Sequence, residues 1–178
     1  MSRSTLFSGP RGGILAILVL FGVALLANWL DAPEPPIAGL GRASDGDSLR
    51  LDGARIRLIG LDAPELAQLC DGERRGSWPC GAVARERMAE LLSAGPLDCQ
   101  PQGRDRYDRV LARCTVNRAD IAATMVSEGL AVSSGDYWRE EAAARAARLG
   151  IWDGDFEIPA DWRDEHARPS GFLGWLGL

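Results

Sequence analysis

From Ser48 to Leu58 polar and apolar side chains alternate on either side of an Asp52-Gly53 pair. A period of two buries one face of a strand and leaves the other in water. Asp-Gly supplies the left-handed backbone that a two-residue hairpin needs. Leu40 to Leu61 therefore reads as three short strands, with Arg55 and Arg57 on one face and Ile56, Leu58 and Leu61 largely on the other. Further along, Val83 to Leu92 changes to helical spacing, gathering Val83, Met88, Leu91 and Leu92 near one face. Leu97 to Gln100 and Val110 to Val116 read as two more strands. Asp120 to Glu128 reads as a helix stopped by Gly129, and Tyr137 to Leu149 as an Ala-rich helix stopped by Gly150.

Three strands, a helix, two strands and two helices make a mainly β chain with α, an α+β class. Five strands this short suit a small closed barrel, and the expectation is a five-stranded OB-fold barrel with three helices. It occupies residues 40–162, with an apolar tail over 163–178 that is too short to span a membrane.

The amino-terminal part is different. Ile14 to Ala27 is wholly apolar and Asn28, Trp29 and Leu30 extend it. Seventeen helical residues rise about 26 Å, near the lower limit for crossing a bilayer. Arg3 and Arg11 before the run predict a cytoplasmic segment at 1–13, a transmembrane signal-anchor helix at 14–30 with Trp29 at the far interface, and an extracytoplasmic remainder. The rival is a cleaved signal peptide, with Gly22-Val23-Ala24 as a small-x-small site inside the run. A spacer at 31–39 holds three prolines.

All 20 basic side chains are arginine, and the net charge is −5. Two arginines and no acid precede residue 31, so the remainder has 18 arginines against 25 acids, a net −7. That excludes a long basic nucleic-acid surface but not a small cleft with local arginines. A single histidine, His166, in a polar tail, excludes two-histidine nucleases and argues against a Ser/His/Asp triad. Four cysteines, Cys70, Cys80, Cys99 and Cys114, allow three pairings. Cys70 and Cys80 bracket a Gly-rich loop, and Cys99 and Cys114 fall on successive strands, which favours those two bridges. Zinc is disfavoured without a C-x-x-C pair; four free thiols are the alternative in a reducing compartment.

Three charged segments remain: Asp45-Gly46-Asp47-Ser48, Arg57-Leu58-Ile59-Gly60-Leu61-Asp62-Ala63-Pro64-Glu65, and Asp105-Arg106-Tyr107-Asp108-Arg109. Taken singly, each has a plainer reading as a turn, a helix start or a solvated charge run. In this order, with Glu128-Gly129-Leu130-Ala131 and Leu149-Gly150-Ile151-Trp152 behind them, they resemble the staphylococcal nuclease-like (thermonuclease) family from about Leu40 to Trp162.

The resemblance implies a calcium-dependent endonuclease, hydrolysing phosphodiester bonds of single-stranded DNA and RNA, which the amino-terminal run and the cysteines would place outside the cytoplasm. By position it makes Asp47, Asp62 and the carbonyl of Ala63 the calcium ligands, and Glu65 the general base. Arg57 and Arg109 become the phosphate contacts, and Arg106, Tyr107 and, more loosely, Tyr137 the nucleotide contacts. Asp108 departs from a family position that often holds glycine, and the Cys70–Cys80 insertion lies beside the site. The chemistry is coherent on its own terms. Calcium takes oxygen donors in irregular geometry, arginine meets phosphate with a planar fork, and a carboxylate free of the metal can accept a water proton. The alternatives are a catalytically silent OB-fold module that binds nucleic acid or protein at the membrane, and a structural envelope protein.

Overall fold

The structure is a computed structural model that describes residues 10–30, 34–74 and 76–166. The chain divides into two compact units, Met1–Pro33 and Glu34–Leu178. In the first, α1 runs over Pro10–Leu30, and Ile14, Leu18, Phe21 and Leu25 are among its exposed apolar side chains. Among the described residues, however, no helix is long and apolar enough to cross a membrane; the transmembrane helix expected at 14–30 is not found among them. Residues 1–9 of the expected cytoplasmic segment, 31–33 of the spacer, 167–178 of the tail and the side chain of Trp29 lie outside the described residues.

In the second unit, β1 (Ile37–Gly39) and β2 (Gly41–Ala43) are followed by β3 (Ser48–Leu51) and β4 (Ala54–Leu58). The β3–β4 hairpin turns through Asp52 at φ 48° and Gly53 at φ 85°, the left-handed pair that Asp-Gly announces. Two longer strands, β8 (Leu97–Arg104) and β9 (Val110–Val116), follow the intervening segments. The sheet order is β2-β3-β4-β9-β8-β1; β4 and β9 run parallel and the other pairs antiparallel. Its two edge strands are joined by Leu40 alone, so the sheet is rolled until its edges meet. With a two-residue strand at Ala119–Asp120 beside β9, the sheet has seven strands where five were expected. Part of the expected spacer is therefore sheet: Ile37 pairs with Cys99 and Gly39 with Leu97.

The remaining elements frame the sheet. β5 (Leu61–Asp62) pairs with β11 (Val132–Ser133), and β6 (Cys70–Gly72) with β7 (Gly76–Trp78). A short β10 (Ala119–Asp120) adds to β9. Helices α2 (Cys80–Ser93), α3 (Ile121–Ser127) and α4 (Trp138–Ala146) match the three expected helices, α2 longer than expected and the other two shorter. Asp120 caps α3 by accepting from the Ala123 amide at 3.0 Å. A helix the sequence reading did not anticipate, α5 (Pro159–His166), crosses the expected 162/163 domain end. The core is continuous: Leu49, Leu51, Ile56 and Leu58 meet Met88 and Leu92 of α2 and Ile121, Met125 and Val126 of α3. Cys70–Cys80 and Cys99–Cys114 are both bonded, the latter across directly paired β8 and β9.

Gly129 and Gly150 lock the far loops together. Ile151 donates its amide to the Gly129 carbonyl at 2.9 Å. A Cβ on Gly129, at φ +70°, would lie 2.2 Å from the Leu149 carbonyl oxygen, whereas one on Gly53, at φ +85°, meets nothing within 4 Å. Both positions charge a side chain for its left-handed backbone, but only Gly129 adds a backbone collision. Gly129→Ala should cost about 2 kcal/mol or more and clearly more than Gly53→Ala. Urea unfolding of the two variants checks this; equal losses would contradict it.

Candidate active site

The cleft is built where the loop before β3, the middle of β4, the segment after β5 and the β8–β9 turn come together. Gly46 permits this approach, because a Cβ there would lie 2.6 Å from that of Ala63 and 2.9 Å from that of Ala84. Asp47 follows it and is buried. Its carbonyl accepts from the Leu58 amide at 2.9 Å, which fixes the loop against β4. Ser48 pairs directly with Arg57 across the hairpin, so the Arg57 side chain rises beside Asp47.

Arg57 bridges two acids from separate segments. Its Nη1 lies 2.7 Å from Asp47 Oδ1, and its Nη2 donates to Asp62 Oδ1 at 2.7 Å. The Ser48 hydroxyl donates to Asp47 Oδ1 at 2.8 Å and the Ala63 amide to Asp47 Oδ2 at 3.3 Å. Burial nevertheless pushes the Asp47 carboxyl up, to about 7, against the pull of Arg57. Burial lowers Arg57 while Asp47 and Asp62 raise it, and the net effect holds it above its ordinary value.

Glu65 stands three residues beyond Asp62. Its amide donates to Gln68 Oε1 at 3.1 Å, and the fully buried Gln68 sends Nε2 to the Glu157 carbonyl at 2.6 Å. Gly81 at the start of α2 lies against the Glu65 carbonyl, since a Cβ there would come within 1.7 Å of that oxygen. The Cys70–Cys80 bridge closes the same loop onto α2. Gln68 thereby ties the Glu65 segment to the chain entering α5. From α5, Arg163 Nη1 donates to Asp62 Oδ1 at 3.0 Å and Glu65 Oε1 at 2.8 Å, while Nη2 donates to Asp62 Oδ2 at 2.9 Å.

On the opposite wall, Asp105 organises the β8–β9 turn. Its Oδ1 accepts from the amides of Tyr107 at 2.9 Å and Arg109 at 3.0 Å, and its Oδ2 from Arg109 Nε at 2.7 Å. Arg109 is thereby aimed inward, with Nη1 3.5 Å from the Ser48 hydroxyl. Asp108 adopts φ 59°, a left-handed conformation that aspartate tolerates where the family often has glycine. Tyr107 is exposed, with the Arg106 guanidinium 4.8 Å from its ring centre.

Asp47, Arg57, Glu65, Arg106, Tyr107 and Arg109 thus share one cavity of about 1170 Å³. Asp62 lines an adjoining recess with Arg57 and Arg163. Five acids and five arginines line the main cavity, so it is balanced in charge within an acidic chain. Tyr137 does not join them. It is buried, donates its hydroxyl to Asp120 at 2.8 Å and accepts from Arg113 at 2.8 Å; burial and Asp120 push its phenol up to about 12. Arg55 and Arg163 line the cavity as well. The sequence reading placed Arg55 on the correct face without a role and missed Arg163. Pro159 in the first turn, Asp161 behind it and basic residues in the last turn are helix signals that could have revealed α5. Among the described residues no group of three or more His, Cys, Asp or Glu is arranged to hold a metal ion; the acids face guanidiniums instead.

A family model described as staphylococcal nuclease homologue matches residues 55–154. The succinoglycan biosynthesis protein ExoI of Rhizobium meliloti (strain 1021) is 32% identical over 79% of this chain and 74% of its own length. A probable endonuclease, LCL3, of Pyricularia oryzae is 29% identical over 65% of this chain and 50% of its own. An uncharacterized endonuclease of Haemophilus influenzae is 26% identical over 68% and 70%. The chain spans about half the length of the Pyricularia relative.

The Asp105 carboxyl gives a pH test of the turn. Burial raises it, but the Arg109 and Tyr107 amides and the Arg109 guanidinium prevail and lower it from 3.8 to about 2. A carboxyl lowered on folding lends stability that is complete above its unfolded value and disappears as pH falls through the folded one. The stability gap between the native protein and Asp105→Asn should hold above about pH 4 and close toward pH 2. Urea midpoints across that range measure it; a gap unchanged at pH 2 would refute the assignment.

Proposed function

We propose that this chain, which belongs to the staphylococcal nuclease homologue family, is a calcium-dependent endonuclease acting on single-stranded DNA and RNA outside the cytoplasm. The observation that carries this reading is the convergence of Asp47, Arg57, Glu65 and Arg109 on one cavity, with Asp62 bound to it through Arg57.

Asp47, Asp62 and the Ala63 carbonyl are hard oxygen donors of the kind calcium takes, and that donor chemistry supports calcium as the ion they would hold. Bound there, calcium would polarise the phosphate. The chain's own groups do the rest. Arg109 and Arg57 meet the equatorial oxygens of the scissile phosphate; Arg57 has five N–H donors, so a bridge to two acids leaves it others. Glu65 Oε accepts the proton of the attacking water, and the bond to the 5′ oxygen breaks, leaving a 3′-phosphate. Exposed Tyr107 and Arg106 offer a ring and a charge to the adjoining nucleotide.

Two disulfides support an oxidising compartment, and the exposed apolar side chains of α1, which follow Arg3 and Arg11 in the sequence, support export. Non-reducing mass analysis of the mature protein checks both. Retained free thiols would overturn the location, and the mass reports whether the amino-terminal segment is kept.

Catalysis is tested by digestion of denatured DNA with and without a calcium chelator. Chelation should abolish turnover, and Glu65→Gln and Arg109→Ala should each lower kcat by roughly a hundredfold or more while circular dichroism shows the fold retained. Wild-type rates in both variants would remove these residues from the mechanism.

A further inference from the structure

We propose that Arg163 is a displaceable counter-charge that holds Asp62 and Glu65 in place of the divalent cation, so that cation binding and withdrawal of Arg163 are one event. The inference rests on the calcium reading above and adds a control on the same site.

One guanidinium nitrogen of Arg163, Nη1, lies within hydrogen-bond distance of both acids, 3.0 Å from Asp62 Oδ1 and 2.8 Å from Glu65 Oε1. The second, Nη2, takes the other Asp62 oxygen at 2.9 Å. Both Asp62 oxygens are therefore engaged, and Oδ1 also receives Arg57. A cation seeking Asp62 meets a positive fork already seated there.

The charge balance points the same way. Asp62 and Glu65 both face Arg163, and Asp62 shares Arg57 with Asp47. Withdrawing Arg163 makes the cluster more negative by one charge, which favours a cation, and uncovers Glu65 Oε1 for proton transfer.

Of the two arginines, only Arg163 is placed to leave. Arg57 is fixed in mid-strand on β4 with a side chain 20% exposed, whereas that of Arg163 is 38% exposed. It comes from an eight-residue helix in which only Pro159 is buried. Few buried contacts mean that such an element moves at low cost, and the partner that would move, Arg163, is the more exposed half of the pair.

The test is isothermal titration of the full chain with calcium chloride, with amide hydrogen exchange of α5 followed in parallel. In the native protein calcium should speed exchange over residues 159–166. Arg163→Gln should bind calcium roughly five- to tenfold more tightly and lose the calcium response in α5. Arg163→Lys, which keeps a charge without the fork, should fall between. If Arg163→Gln binds calcium equally or more weakly, while Asp62→Asn abolishes binding, the counter-charge is refuted and the calcium reading stands. If neither the native chain nor Arg163→Gln binds calcium at millimolar concentration, both are refuted.

Discussion

The site depends on one bridge, the Arg57 guanidinium lying between Asp47 and Asp62. Two carboxylates from loops 15 residues apart would repel in a space this small. A buried acid without a partner would neutralise or drive the loops apart. Arg57 solves both problems because it rises from a strand whose register is set by the neighbouring hairpin. Ser48 faces it across β3 and β4, and the Leu58 amide holds the Asp47 carbonyl. Burial pushes the Asp47 carboxyl up and Arg57 pulls against it. One guanidinium shared with Asp62 offsets only part of the desolvation that Asp47 suffers.

The fold positions this bridge with backbone rather than with side-chain bulk. Gly46 and Gly81 are small because neighbouring chain passes within contact of their Cα atoms, and Gln68 fixes Glu65 through amide hydrogen bonds. Disulfides act at two distances from the chemistry. Cys70–Cys80 ties down the Glu65 loop, while Cys99–Cys114 staples β8 to β9, the pair whose turn delivers Arg109. The acids and arginines therefore arrive on elements braced independently.

Much of this was legible in the amino-acid order because it is local. Asp52-Gly53 specified the hairpin, and alternation specified which face of β4 carries Arg55 and Arg57. Cysteines on successive strands favoured the observed bridge. The features that escaped are long-range or overridden by packing. Arg163 meets Asp62 across 101 residues, and no spacing rule relates them. Ile37–Gly39 lies behind three prolines, yet it pairs with β8 because the rolled sheet needs an edge partner. Tyr137 looked available for a nucleotide, but the left-handed Gly60 brings backbone against its ring and Asp120 takes its hydroxyl.

Leu40, 74% exposed, is the single residue between a strand that pairs with β8 and one that pairs with β3. It acts as the hasp of the barrel. A protease cutting there would sever no hydrogen bond of the sheet, yet it would turn one continuous rim into two independent ends. Each end would be free to peel, and the seam rather than the cleft would then decide how long the molecule keeps its shape.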